Sequence, residues 1–464
     1  MRVFPLEKNV AIVYTTLNMA GGLMQLVAYG AQDTYLTGNP KVTFFQAVYK
    51  RHTNFAMENI EQVVNGSPGD SGRLSVTIAR NGDLIGNMYM EMEPKSTLSR
   101  VNATCWAAER AVQDIELTIG GQRIDKHYQR WWRLYAELYL DDAKKAEWGK
   151  LTSVEGTGAS RSSKVILPLI FFFNRNPGLY LPLIALQYHE VRLDIDLSAE
   201  FSDYIDDNKS VKVWGNYVYL DTEERRRFAQ KGHEYLIEQV QHTGADSVGT
   251  STTKTVRLSY NHPCKELVWC VNDAKSSGAN GQGNELWAFC ANPANVTVVN
   301  DLSLAGNPGA VASANVAVEP HKCGAPHLLI GNVASECLLV ESGSSTVAHA
   351  AGAPGVEVGP LNTFKLVLNG QDRFKEQTGR YFNQYQPMQH HSGNPMAGVY
   401  SYSFALKPEE HQPTGTCNFS RIDNAQVQLT FKEQTSATAQ LNMFAVNYNV
   451  LRIQSGMGGL AFSN

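Results

Sequence analysis

Three short runs concentrate groups that do acid–base or metal chemistry: Tyr188-His189-Glu190, His390-His391 and Glu409-Glu410-His411. Histidine titrates near neutral pH and is a common metal ligand, so these runs are the first candidates for a site. A zinc centre favours H-x-H on a strand or H-E-x-x-H on a helix, and neither spacing occurs. Asp194 and Asp196 are two residues apart on a strand pattern, which places them about 7 Å apart on one face and could mimic a glycosidase pair. Acids alternating with Leu193, Ile195 and Leu197 are also what any solvated strand face shows, and that reading is preferred. No G-x-S-x-G, phosphate-binding loop or dinucleotide fingerprint is present. The expectation is therefore no catalytic residue, no metal and no cofactor.

The seven cysteines are odd in number and include no C-x-x-C, so neither a zinc module nor a disulfide framework is indicated. Cys264 and Cys270 fall on one strand pattern, roughly 20 Å apart, too far to bridge. This usage fits a reducing, cytosolic site of assembly. Net charge is −4 and charged residues are 18%. That balance argues against a general nucleic-acid surface, which needs clustered Lys and Arg. The run Arg225-Arg226-Arg227 follows Glu223-Glu224 and reads as a solvated helix face. Five N-x-[ST] sequons, at Asn65, Asn102, Asn208, Asn295 and Asn418, are candidate glycosylation acceptors if they sit on outer loops.

The elements that must position these residues read as strands. The most apolar stretch is VILPLIFFFNRNPGLYLPLIALQYHEVRLDIDL, Val165 to Leu197. A bilayer span needs roughly 20 uncharged apolar residues, and here Asn174, Arg175 and Asn176 interrupt while Pro168 and Pro182 break a helix. Two apolar halves of strand length, Ile166–Phe173 and Leu179–Leu186, flank a turn at Asn176-Pro177-Gly178, and an alternating strand follows from Val191. The expectation is strand, turn or irregular segment, strand, inside a β-sandwich core. One helix stands out: Tyr128, Trp131, Trp132, Tyr135, Leu138 and Tyr139 share a face, with Asp125 as a candidate N-cap. Packing of that aromatic stripe against a sheet is favoured over base or sugar stacking. A second helical patch covers 220–230. Met19 to Tyr35 reads as an extended arm, and Phe44, Phe45, Val48 and Tyr49 have the spacing of a short helix after Pro40. The run Val10–Tyr14 is short for a signal peptide and no lipidation motif is evident, so standard secretion is not expected.

The chain also resembles itself. LTIGGQRIDKHY (Leu117–Tyr128) is similar to LVLNGQDRFKEQ (Leu366–Gln377), and each half carries a later strand, EVRLDIDL and NAQVQLTF. Two halves of some eight strands each predict a tandem duplicated β-sandwich, dividing near 221–230. Residues 1–44 are expected to be an arm, 45–226 the first sandwich and 227–464 the second. The Gly/Ala/Asn-rich region from Asn272 to Pro360 reads as long loops, which are usually exposed or functional.

Five blocks then resemble a known family. GGLMQLVAYGAQDTYLTGNPKVTFFQAVYKRHTNF, PLIFFFNRNPGLYLPLIALQYHEVRL, YNHPCKELVW and YSFALKPEEHQPTGTCNFSRIDNAQVQLTF, together with IGGQRIDKHY, look like the major capsid proteins of nucleo-cytoplasmic large DNA viruses. These are of the chlorovirus, marseillevirus, mimivirus and iridovirus kind. The blocks keep the family order from Gly21 to Phe431. Family members typically begin near Met19, so Met1–Asn18 is extra, and the Asn272–Pro360 region holds no recognised block. The resemblance implies two jelly rolls in tandem, an all-β fold with a few short helices. It implies a pseudo-hexagonal homotrimer tiling an icosahedral shell over an internal membrane, with neighbouring trimers, minor capsid and penton proteins as partners. It implies an N-terminal arm toward the membrane, no direct nucleic-acid contact, and a virion protein assembled in host cytoplasm. It supplies no catalytic residue. The competing reading, a carbohydrate-binding or polysaccharide-degrading β-sandwich, would need a groove with paired acids or stacked aromatics.

Overall fold

The structure, a computed structural model, describes residues 21–95, 106–154, 164–273, 296–300, 337–341, 360–395, 398–431 and 439–462. Residues 1–53 and 54–464 form two separate units. The Met1–Asn18 extension and most of the Asn272–Pro360 region lie outside the described residues. Within that region one antiparallel pair of strands is described, Val296–Asn300 with Cys337–Glu341.

The first unit corrects two expectations. The segment read as an extended arm contains helix α1 (Gly21–Val27), and a single helical turn follows at Thr34–Thr37. The spacing of Phe44, Phe45, Val48 and Tyr49 makes no helix, only a turn at 44–46. The reason is local: Leu23, Met24, Gln25 and Leu26 are good helix formers, whereas residues 42–49 are mostly β-branched or aromatic. Phe44 and Phe45 are 94% and 98% exposed.

The second unit is all-β. Its first sandwich has strands β1 (Phe55–Gln62), β2 (Arg73–Thr77), β3 (Leu84–Met92), β4 (Val112–Ile119), β5 (Gln122–Tyr128), β6 (Val165–Pro168), β7 (Val191–Leu197) and β8 (Lys212–Leu220). They form two sheets, ordered β1-β8-β3-β6 and β2-β7-β4-β5. Its second sandwich has β9 (His233–Ser247), β10 (Thr253–Leu258), β11 (Pro263–Asp273), β12 (Leu361–Leu368), β13 (Gln371–Asp372), β14 (Val399–Ser403), β15 (Ala425–Phe431) and β16 (Ala439–Gln454). The sheets are β9-β16-β11-β14 and β10-β15-β12-β13. Adding eight to each label of the first pair gives the second pair. Two eight-stranded antiparallel jelly rolls therefore follow one another, each with short extra strands at its margins.

The repeated motif explains itself in this frame. In each sandwich it forms the hairpin between the fourth and fifth strands. Ile119 pairs with Gln122 across Gly120 and Gly121, at φ 58° and 81°. Leu368 pairs with Gln371 across Asn369 and Gly370, at φ 50° and 81°. Two successive residues with positive φ make the type I′ turn that matches strand twist, which is why Gly-Gly and Asn-Gly stand there.

Five helices accompany the sheets where labels are needed: α1, α2 (Ala107–Ala111), α3 (Gln129–Tyr139), α4 (Asp142–Thr152) and α5 (Thr222–Gln230). The aromatic stripe on α3 is core as expected: Trp131, Trp132 and Leu138 are buried, and Trp131 packs on Phe444. Asp125 is not its N-cap. The helix starts at Gln129, and Asp125 lies inside β5, accepting from the Val240 N–H at 3.0 Å. The stretch from Val165 is buried but supplies less strand than expected. β6 stops at Pro168, and one-turn helices at Phe172–Arg175, Pro177–Leu179 and Leu183–Ala185 follow. Proline removes ladder donors, and Asn174 bends the chain by accepting from the Phe171 N–H and donating to Gly86 O at 2.8 Å. Asn176 makes the expected turn, accepting from Gly178 N–H.

The sheet β9-β16-β11-β14 is buried on both faces. Phe444 and Val446 of β16, and Val268 and Cys270 of β11, belong to the core that includes the first sandwich. The alternate residues Met443, Ala445, Leu267 and Trp269 belong to the second sandwich's own core. Side chains on a strand point to opposite faces in turn, so this one sheet serves two cores. Among the described residues no helix is long and apolar enough to cross a membrane.

Candidate functional site

The acid pair on β7 is neutralised in place. Asp194 is buried and accepts from Arg192 at 2.6 and 2.8 Å. Arg73 lies 3.9 Å from Asp194 and 3.5 Å from Asp196. Carboxylates held this way are structural ion pairs, not an acid and a nucleophile facing a groove. His189 is likewise committed: its Nδ1 is 2.8 Å from Gly458 O and 3.1 Å from Gly458 N, tying the loop before β7 to the C-terminal hairpin. Among the described residues no cluster of three or more His, Cys, Asp or Glu is arranged for a metal.

The two remaining candidate runs come together at the seam between the sandwiches. His391 Nε2 is 3.1 Å from Glu266, and its Nδ1 is 3.5 Å from Glu409. These are ion pairs by proximity, since neither ring nitrogen has an aligned hydrogen-bond partner. Burial opposes the imidazolium charge, but Glu266 and Glu409 outweigh it and raise His391 to about 9. Beside it, Lys265 Nζ is 2.8 Å from Glu238, and Arg175 donates to the same carboxylate at 2.8 Å. Burial pulls Lys265 down to about 8, with Glu238 opposing. Burial also pushes Glu238 upward, but Arg175 and Lys265 hold it below the ordinary carboxylate value. His411, 4.0 Å from Glu238, is lowered by its partial burial.

The partners are delivered by several separate elements. Glu238 is on β9, Lys265 and Glu266 on β11, Arg175 on the turn after β6, and His391 and Glu409 on loops flanking β14. Lys265 is the unpaired residue of a bulge in β11, between Cys264↔Asn447 and Glu266↔Val446. The segment after His391 then caps α3. Gly393 N–H donates to Leu138 O at 2.9 Å, and Ser392 Oγ to Tyr139 O at 3.3 Å. Lys145 of α4 donates to Asn394 O at 2.8 Å and pairs with Glu137. Leu138 O and Tyr139 O are orphan carbonyls of the α3 C-terminus, satisfied here by the other sandwich. A second buried ion cluster lies beneath, with Arg133 3.4 Å from Glu109 and 3.0 Å from Glu137.

The seam is thus a joint. Sequence reasoning named His391, Glu409 and His411 but missed Arg175, Glu238, Lys265, Glu266 and Gly393. The signal was available for two of them: Lys265-Glu266 interrupts an otherwise apolar strand, and a charge pair there must find buried partners. The described sequons are surface features. Asn65, Asn208 and Asn418 are exposed, while Asn102 and Asn295 lie outside the described residues. Asn418 also accepts from the Ser420 N–H at 3.0 Å.

Comparison with known proteins matches this architecture along nearly the whole chain. Residues 43–221 match the family described as major capsid protein N-terminus, and residues 224–459 match large eukaryotic DNA virus major capsid protein. The major capsid protein of Paramecium bursaria Chlorella virus 1 is 42% identical, over 96% of this chain and all of that protein. That of Phaeocystis pouchetii virus is 40% identical with the same coverage. A quasi-atomic model of the PBCV-1 virus capsid superposes with a TM-score of 0.69 at 38% identity, covering 91% of this chain and all of that one. The joint accordingly belongs to a structural protein and not to an enzyme. Duplicated jelly-roll topology, the family blocks read from the sequence and these matches agree: the chain belongs to the major capsid protein family of large eukaryotic DNA viruses.

Proposed function

We propose that three copies associate into a pseudo-hexagonal capsomer, and that capsomers tile an icosahedral shell. One observation carries this reading: both sandwiches have the same strand order and share a doubly buried sheet. Three rigid copies then present six similar sandwiches, which suits a nearly hexagonal lattice. A cyclic trimer closes through head-to-tail contacts, and repeated modest contacts between trimers sum to a stable shell.

The remaining parts take roles consistent with that. Residues 1–44 act as an arm, 45–226 as the first jelly roll and 227–464 as the second. The arm meets minor capsid proteins or the internal viral membrane, supported by the exposure of Leu26, Tyr35, Leu36, Phe44 and Phe45. Penton proteins and neighbouring trimers are the other partners, and the net charge of −4 gives no basis for direct nucleic-acid contact. Asn65, Asn102, Asn208, Asn295 and Asn418 are glycan acceptors where they reach the outside. The free thiols of Cys264, Cys270 and Cys417 suit assembly in host cytoplasm.

Light scattering after size exclusion tests the capsomer. Three chains of 51.2 kDa give about 154 kDa, expected to persist in high salt because apolar burial is not screened. A monomer of 51.2 kDa at working concentration would overturn it.

A further inference from the structure

The His390-His391 run is not explained by shell building. His391 begins a strap, Ser392-Gly393-Asn394, that crosses from the second sandwich to cap α3 of the first. The strap is anchored at one end by His391, wedged between Glu266 and Glu409, and Glu409 also accepts from the Ser392 N–H at 2.7 Å.

We propose that this strap is a proton-held latch: the imidazolium of His391 keeps it closed over the α3 terminus, and loss of that proton releases it. A neutral ring leaves Glu266, which is fully buried, without its counter-ion, and removes the charge that draws Glu409 and Ser392 inward. The release is local, because Val268, Val399, Phe444 and Val446 still bury apolar surface against the first sandwich.

The groups facing His391 set its direction. Glu266 comes from β11 and Glu409 from the loop after β14, both favouring charge. Tyr139 of α3 meets the ring edge-on at 5.3 Å, a neutral contact. The adjoining Lys265 and Arg175 share one carboxylate, Glu238, with His411 4.0 Å from it, so that set is net positive, and Lys265 is drawn to Glu409 as well. Lys145 is compensated by Glu137. The two carboxylates, 3.1 and 3.5 Å from the ring nitrogens, outweigh burial and hold the proton past neutrality, and His391 is raised to about 9. The latch is therefore closed at physiological pH and opens on the alkaline side.

Hydrogen exchange of the full-length protein from pH 6 to pH 10 tests this, read at the Gly393 amide and at β11. After correction for intrinsic exchange, Gly393 protection should be level to about pH 6.5, fall about tenfold or more by about pH 8 and level off above about pH 9, while β11 stays protected. His391→Gln should show the low value already at pH 7. Glu409→Gln removes one of the two carboxylates from a partly exposed position, so it keeps the fold and should move the midpoint down by about one pH unit. Level Gly393 protection through pH 10, loss of Gly393 and β11 protection together, or an unmoved midpoint in Glu409→Gln would each overturn the latch.

Discussion

Gly393 has no room for a side chain. A Cβ there would stand 2.4 Å from both Glu137 O and Leu138 O, backbone atoms that cannot rotate away. Gly393→Ala should destabilise the protein by about 1–3 kcal/mol through overpacking, read as a lower urea midpoint with unchanged slope. The charged residues around it give the stability a pH profile. His391 is raised from 6.5 to about 9, so the stability it adds is complete below pH 6.5 and is lost as pH climbs through 9. Glu238 and Glu409 are lowered, so theirs is complete above the ordinary carboxylate value and is lost in acid. Lys265, lowered to about 8, acts oppositely to His391 but only between pH 8 and 10.5. Urea midpoints should therefore decline from pH 6.5 to 8 in the wild type and stay flat there in His391→Gln. A wild-type midpoint that holds steady over that window would mean His391 titrates as it does in the unfolded chain.

At the scale of elements, the shared sheet decides which positions matter. Phe444 stacks on His242 at 4.4 Å and packs on Trp131 at 5.6 Å, so it fills the contact between the sandwiches. Phe444→Ala should cost about 3–5 kcal/mol, whereas Phe45→Ala, at a fully solvated ring, should change stability by less than about 0.5 kcal/mol. The same sheet shows what the sequence could reveal. Strands with one wet face alternate and were legible: Val191, Leu193, Ile195 and Leu197 are all buried, as their spacing predicts. The type I′ hairpins were legible because Gly and Asn are required there. β11 and β16 do not alternate, since both faces are covered, and their runs LVWCV and MFAV mark double burial without saying what covers the second face. The short elements between Pro168 and Leu186 were misread as strand because apolar content reports burial, not backbone shape. The joint was the least legible part, since Arg175, Glu238 and Lys265 meet only after distant strands have paired.

For the whole molecule, the doubly buried sheet makes the two sandwiches one cooperative body even though their topologies are separate copies. The face of β9-β16-β11-β14 that carries Ile237, Val268, Phe444 and Val446 is covered by the first sandwich, and the Arg175–Glu238 ion pair crosses the same boundary. Cutting there exposes apolar surface and leaves Glu238 without Arg175, a cost that the second sandwich's own core must meet alone. A fragment of residues 227–464 should therefore be aggregation-prone or bind a hydrophobic dye strongly, despite containing a complete jelly roll. Calorimetry of the intact chain should show both sandwiches melting in a single transition. Two resolved transitions, together with a soluble and dye-silent fragment, would mean that the sandwiches are independent domains joined by a passive contact. The single transition is the behaviour a shell needs. A capsid protein transmits load between its neighbours only as well as its weakest internal seam, and a sheet buried on both faces ties the two halves of this chain together.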